Sequence, residues 1–95
     1  MPDSILIVDD EKHTRDGLKA ALSIDYDVAG AANVEEAKRL LQAEKFDLVL
    51  TDLRMGTQSG MSLLEYVKNS HPKCLCIMMT AYGTIASAVE AMRKG

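Results

Sequence analysis

Two apolar runs of this 95-residue chain end in carboxylates: Ile5-Leu6-Ile7-Val8 leads into Asp9 and Asp10, and Phe46-Asp47-Leu48-Val49-Leu50-Thr51 leads into Asp52. A third run, Leu75 to Met79, ends at the hydroxyl of Thr80. Consecutive rather than alternating apolar residues describe strands covered on both faces of a parallel sheet. If these strands are parallel neighbours, Asp9, Asp10 and Asp52 meet at the carboxyl rim, where open α/β sheets place their ligands, with Thr80 beside them. Like charges so close raise one another's proton affinity unless a cation sits among them. All the proposed ligands are hard oxygens, which suits Mg2+ or Mn2+ and argues against zinc, whose usual sites use sulfur or imidazole.

The elements that must carry these residues follow from periodicity. Lys12 to Ser23 places Thr14, Leu18, Ala21 and Leu22 at helical spacing among Lys12, Arg15, Asp16 and Lys19, an amphipathic helix. Tyr26 to Ala31 reads as a short strand, less apolar than the others and suited to an edge. Asn33 followed by Glu36 resembles a capping box ahead of Val34, Ala37, Leu40 and Leu41, a helix running to about Glu44. Leu53 to Gly60 is expected to be a loop with two glycines. A helix with Met61, Leu64 and Val67 as its stripe should then stop before His71-Pro72. Ile85, Ala88, Val89 and Met92 give the face of a fourth helix, with Arg93 and Lys94 near its negative end and Gly95 at its C-cap. The order βαβαβαβα, with right-handed crossovers, makes a doubly wound parallel α/β sheet.

Composition narrows the function classes. Hydrophobic residues at 47% and charged residues at 26% are ordinary globular values, so a folded single domain is expected rather than disorder. A net charge of -3 discourages direct contact with nucleic acid, which demands a basic face. The apolar run Cys74 to Met79 is far too short to cross a bilayer, and the N-terminus lacks the basic and apolar sections of a signal peptide, so a soluble cytoplasmic protein is expected. Cys74 and Cys76 fall on one face of a strand and are read as small core residues rather than a metal or redox pair. His13 and His71 are expected at the surface, and Met78, Met79 and Met92 as core filler.

Taken together, Ile7-Val8-Asp9-Asp10-Glu11, Leu50-Thr51-Asp52-Leu53-Arg54-Met55, Gly60 and Met79-Thr80-Ala81-Tyr82-Gly83 resemble the receiver domain of bacterial two-component response regulators. The segment from Ile77 to Met92 looks like the nitrogen-regulatory branch, whose receivers usually precede an AAA+ ATPase and a helix-turn-helix DNA-binding domain. The resemblance implies a strand order of 2-1-3-4, with Asp52 as the phosphoacceptor for a phosphohistidine of a sensor histidine kinase. It implies Asp10 as a direct Mg2+ ligand, Asp9 as a ligand mostly through water, the Arg54 backbone carbonyl as a further contact, and Thr80 as the hydroxyl that moves to the phosphoryl group. Such a domain is not an enzyme beyond its own phosphoryl transfer. Kinase docking on the helix from Lys12 to Ser23 and a homodimer through the fourth helix are family expectations.

Two departures stand out. Gly56 occupies the position where the family usually has proline. The family's lysine and switch aromatic belong to a fifth strand, so residues 1–95 are expected to be a receiver truncated before its final strand and helix, with Lys94 no substitute. Other readings of the same residues are a helix N-cap for Asp9 and Asp10, a solvated loop acid for Asp52, and a strand-end hydroxyl for Thr80. A phosphatase of the haloacid dehalogenase type would want an acid two residues after the nucleophile, where this chain has Arg54. A degenerate receiver serving only as a docking or dimerisation module is the remaining alternative.

Overall fold

The computed structural model describes residues 3–52, 54–55 and 58–79. In chain order these form β1 (Ser4–Val8), α1 (Lys12–Leu22), β2 (Asp27–Ala31), α2 (Val34–Ala43), β3 (Leu48–Asp52), β4 (Arg54–Met55), β5 (Gln58–Ser59), α3 (Gly60–Ser70) and β6 (Leu75–Met79). The main sheet has four strands in the order β2-β1-β3-β6. Every pairing is parallel, with Val8 opposite Ala31 on one side and Thr51 on the other, and Asp52 opposite Met79. Because β4 and β5 form a separate ladder, this is the expected 2-1-3-4 order of a doubly wound α/β sheet.

The apolar runs do what their composition demands. Ile5 to Val8 and Leu48 to Leu50 are fully buried, because alternate side chains enter two different cores. Leu6, Val8 and Val49 pack with Val34, Ala37 and Leu41 of α2 and Leu63 and Val67 of α3. Ile5, Ile7, Leu48 and Leu50 pack with Leu18 of α1 on the opposite face. Each such aliphatic side chain contributes about 1.5–3 kcal/mol by leaving water, so β1 and β3 are the fixed centre that the rim residues extend from.

At the other end of the sheet, Asp47 aligns three strands. Its amide donates to the Ser4 carbonyl at 2.8 Å, its Oδ2 accepts from the Ser4 amide at 2.8 Å, and its carbonyl accepts from the Leu75 amide at 3.0 Å. With β1, β3 and β6 registered there, their carboxyl ends come out level. Asn33 caps α2 as its sequence implies, its side chain accepting from the Glu36 amide at 2.8 Å.

Several expectations are corrected. Ala21 is exposed, so α1 buries only Leu18 fully, with Thr14 and Leu22 half-buried. In α3 the buried pair is Leu63 and Val67, and Leu64 is half-buried. The expected loop after Asp52 contains a small antiparallel ladder, Arg54 opposite Ser59 and Met55 opposite Gln58. β6 is less buried than β1 and β3: Leu75 is 51% exposed, since β6 stands at one end of the described strand order. Met79 lies in β6, whereas Thr80, Gly56 and the expected fourth helix with Met92, Arg93, Lys94 and Gly95 lie outside the described residues.

Candidate functional site

Asp9 follows the last residue of β1, and Asp52 is the last residue of β3, the strand beside it. Adjacent parallel strands therefore bring acids 43 positions apart in sequence to one rim. One carboxylate oxygen from each of Asp9, Asp10 and Asp52 lies within 4.8 Å of the others. Two oxygens bound to one Mg2+ at about 2.1 Å can be no more than about 4.2 Å apart, so a spread of up to 4.8 Å suits one cation if the acids close by a few tenths of an ångström or one of them binds through water. The donor set is all carboxylate, the chemistry of a hard divalent ion.

Burial is graded across the three. Asp9 is 5% exposed, Asp52 is half-buried and Asp10 is exposed. Burial pushes the Asp9 carboxyl above its ordinary range; the amide of Glu11 opposes that shift, the charges of Asp52 and Asp10 add to it, and Arg15 opposes it. A buried acid among like charges is a site that gains from a cation.

The loop holding Asp9 is tied down on all sides. Its amide donates to the Ala31 carbonyl of β2 at 3.0 Å. Its Oδ1 accepts from the Glu11 amide at 2.9 Å, and its backbone carbonyl accepts from Nη1 of Arg15 at 2.8 Å. The N-cap of α1 is Glu11, whose Oε1 accepts from the His13 amide at 2.9 Å. That removes capping of α1 as the explanation of Asp9 and Asp10. Asp52 ends a buried strand, and the Thr51 hydroxyl donates to its carbonyl at 3.1 Å.

Arg15 and Thr51 are the contributors that sequence reasoning missed. Arg15 reads as one more charge on the polar side of α1, and nothing in the spacing shows that it reaches back across the sheet. Thr80, expected from the sequence at the same rim, lies outside the described residues, as does the side chain of Arg54. His13 is exposed, as expected. His71 is instead half-buried against Tyr66, with Nε2 and the tyrosine hydroxyl 3.4 Å apart and the rings 5.4 Å apart. Cys74 and Cys76 are free thiols on the α2–α3 face, and burial pushes both up to about 11, away from the thiolate that metal or redox chemistry needs.

A family model described as the response regulator receiver domain matches residues 5–95. The chain belongs to that family. Among curated relatives, the receiver is 43% identical over 91 residues to the response regulator protein PilR of Pseudomonas aeruginosa, covering 95% of this chain and 20% of that protein. It is 38% identical over 92 residues to the transcriptional regulatory protein ZraR of Klebsiella oxytoca, covering 96% of this chain and 21% of that protein. The receiver thus spans about a fifth of the length of these relatives. It is the regulators it matches that place it in the nitrogen-regulatory activator branch. Among solved structures, a receiver domain protein from Clostridium thermocellum superposes with a TM-score of 0.76 at 32% identity, over 98% of this chain and 76% of that one. The response regulator protein TrrA from Thermotoga maritima, in complex with Mg(2+)-BeF, gives 0.77 at 32% identity, over 90% of this chain and 75% of that one. Among the described residues no helix is long and apolar enough to cross a membrane.

Proposed function

We propose that this receiver takes a phosphoryl group onto Asp52 from a phosphohistidine of a sensor histidine kinase. The observation that carries this is the approach of the Asp9, Asp10 and Asp52 carboxylate oxygens to within 4.8 Å of one another. An Asp52 carboxylate oxygen attacks phosphorus, the P–N bond to the imidazole breaks with its electron pair staying on nitrogen, and an acyl phosphate results. Asp10 and Asp52 would hold a divalent cation directly, Asp9 would hold it mostly through water, and the Arg54 backbone carbonyl would supply a further contact. When bound there, Mg2+, or Mn2+ in its place, would supply charge neutralisation for phosphoryl transfer. The Mg(2+)-BeF complex of the Thermotoga relative supports that choice of ion.

The chain's own part is positioning. β1 and β3 fix the separation of the acids, and the Asp9 loop is held from its amide, carboxylate and carbonyl at once. Thr80, next after the residue paired with Asp52, supplies the hydroxyl that moves to the phosphoryl group. Phosphorylation adds a charge of about -1.5 to -2 and shifts the population of the segment after Thr80. The domain catalyses nothing beyond its own phosphorylation. In the whole cytoplasmic protein it switches an AAA+ and DNA-binding output that activates transcription, making no nucleic-acid contact itself and pairing with a second copy. The regulators it resembles, PilR and ZraR, support that output.

Incubation with acetyl phosphate and Mg2+ tests this by intact mass. One labile phosphoryl group is expected, lost in Asp52→Asn and lost when Mg2+ is chelated. Labelling that persists in Asp52→Asn overturns the assignment.

A further inference from the structure

We propose that Arg15 is a positioning residue for the acid cluster, and that position 30 is glycine so that the Arg15 stem can lie across β2 to reach it. Asp9 sits one residue beyond β1, and its backbone carbonyl receives Nη1 of Arg15 from α1 at 2.8 Å. To make that bond the side chain passes over Gly30, which pairs with Ile7 in the β1–β2 ladder. A Cβ at Gly30 would stand 3.1 Å from Cγ and 3.2 Å from Cδ of Arg15, tighter than ordinary carbon contacts. The end of that stem is anchored on Asp9, so it cannot swing aside without giving up the bond. Gly30 and Arg15 therefore act as one unit.

Two other bonds hold Asp9, from its amide to Ala31 and from the Glu11 amide to its Oδ1. The first ties the loop sideways to β2, and the second is local to the loop itself. The Arg15 bond is the one that ties the acid loop to the body of the helix, and a planar guanidinium does this with fixed geometry. Charge alone would act the other way: a guanidinium near the pocket repels a dication, so its removal should tighten metal binding. Positioning predicts the opposite sign.

This inference rests on the reading that the acids hold a divalent cation. Calorimetric titration with Mg2+ separates the two, using the wild type, R15M, G30A and the R15M/G30A double variant, each below its own unfolding temperature. The wild type binds Mg2+, and R15M and G30A each weaken that affinity roughly three- to tenfold, the fold-change of one hydrogen bond. The double variant binds no more weakly than R15M, because the alanine methyl then has nothing to displace. If R15M fails to fold, G30A against the wild type still reads the same displacement. A wild type that does not bind Mg2+ overturns the metal reading itself. A wild type that binds, with R15M equal to it or tighter, or with G30A fully additive on R15M, overturns the role of Arg15 alone.

Discussion

Asp9 is where the site's electrostatic conflict concentrates. Its carboxyl is buried beside two others, and the folded chain holds its proton more tightly than an unfolded chain, whose ordinary value is 3.8. Between that value and the raised one, the native state binds more protons than the unfolded state, so stability falls as pH rises through this window. Above it the penalty is complete. In the metal-free protein, Asp9→Asn should therefore raise stability at neutral pH by an amount on the order of 1 kcal/mol, the usual size of a single-residue effect. It should also flatten the loss of stability as pH rises from 3.8 through the raised value, while weakening Mg2+ binding. Thermal unfolding with chelator across pH reads the first two effects; an Asp9→Asn protein less stable than the wild type at neutral pH contradicts them. The acids themselves were legible in the sequence because each follows an apolar run. Arg15 was not, because a bond to the Asp9 carbonyl depends on how α1 lies across β2, which no spacing in α1 encodes.

At the scale of elements, the helices are set by caps and stripes of different clarity. Asn33 was readable as the α2 cap, and its bond to the Glu36 amide satisfies a donor that the first turn leaves open. Asn33→Ala should cost about 1 kcal/mol in denaturant unfolding and leave Mg2+ affinity within error, since the Asn33 side chain bonds the Glu36 amide of its own helix rather than an acid of the cluster. A change in metal affinity comparable to that of Asp9→Asn would show that the rim and α2 are coupled. The phase of α3 was harder to read. Leu63 and Leu64 are neighbours of the same type, both compatible with helical period, and only packing against Val8 and Val49 selects Leu63 as the buried one. The ladder of β4 with β5 is two residues on each side, too short for any period of two to show.

For the whole molecule, strand order is what turns sequence into site. Placing β1 between β2 and β3, and β3 beside β6, gathers the ends of three apolar runs at one rim while α1 and the α2–α3 pair cover opposite faces. The order itself was legible only through the family resemblance; the apolar runs and intervening helices alone implied a parallel sheet covered on both faces. An ion that binds the native rim and not the unfolded chain stabilises by mass action, about 2.7 kcal/mol at one hundred times its Kd. Mg2+ should thus raise the unfolding temperature of the wild type, and should do so far less in Asp9→Asn or at acidic pH, where protons compete for the carboxylates. Equal stabilisation in all three cases would place the ion elsewhere. The most direct test of the central claim is chemical location of the phosphoryl group. After phosphorylation with Mg2+ and acetyl phosphate, borohydride reduces an acyl phosphate to an alcohol, and peptide mass spectrometry finds which residue changed. The account predicts reduction at Asp52 alone, dependent on Mg2+; a modification mapped to Asp9, Asp10, a histidine or a hydroxyl residue, with Asp52 intact, would contradict it.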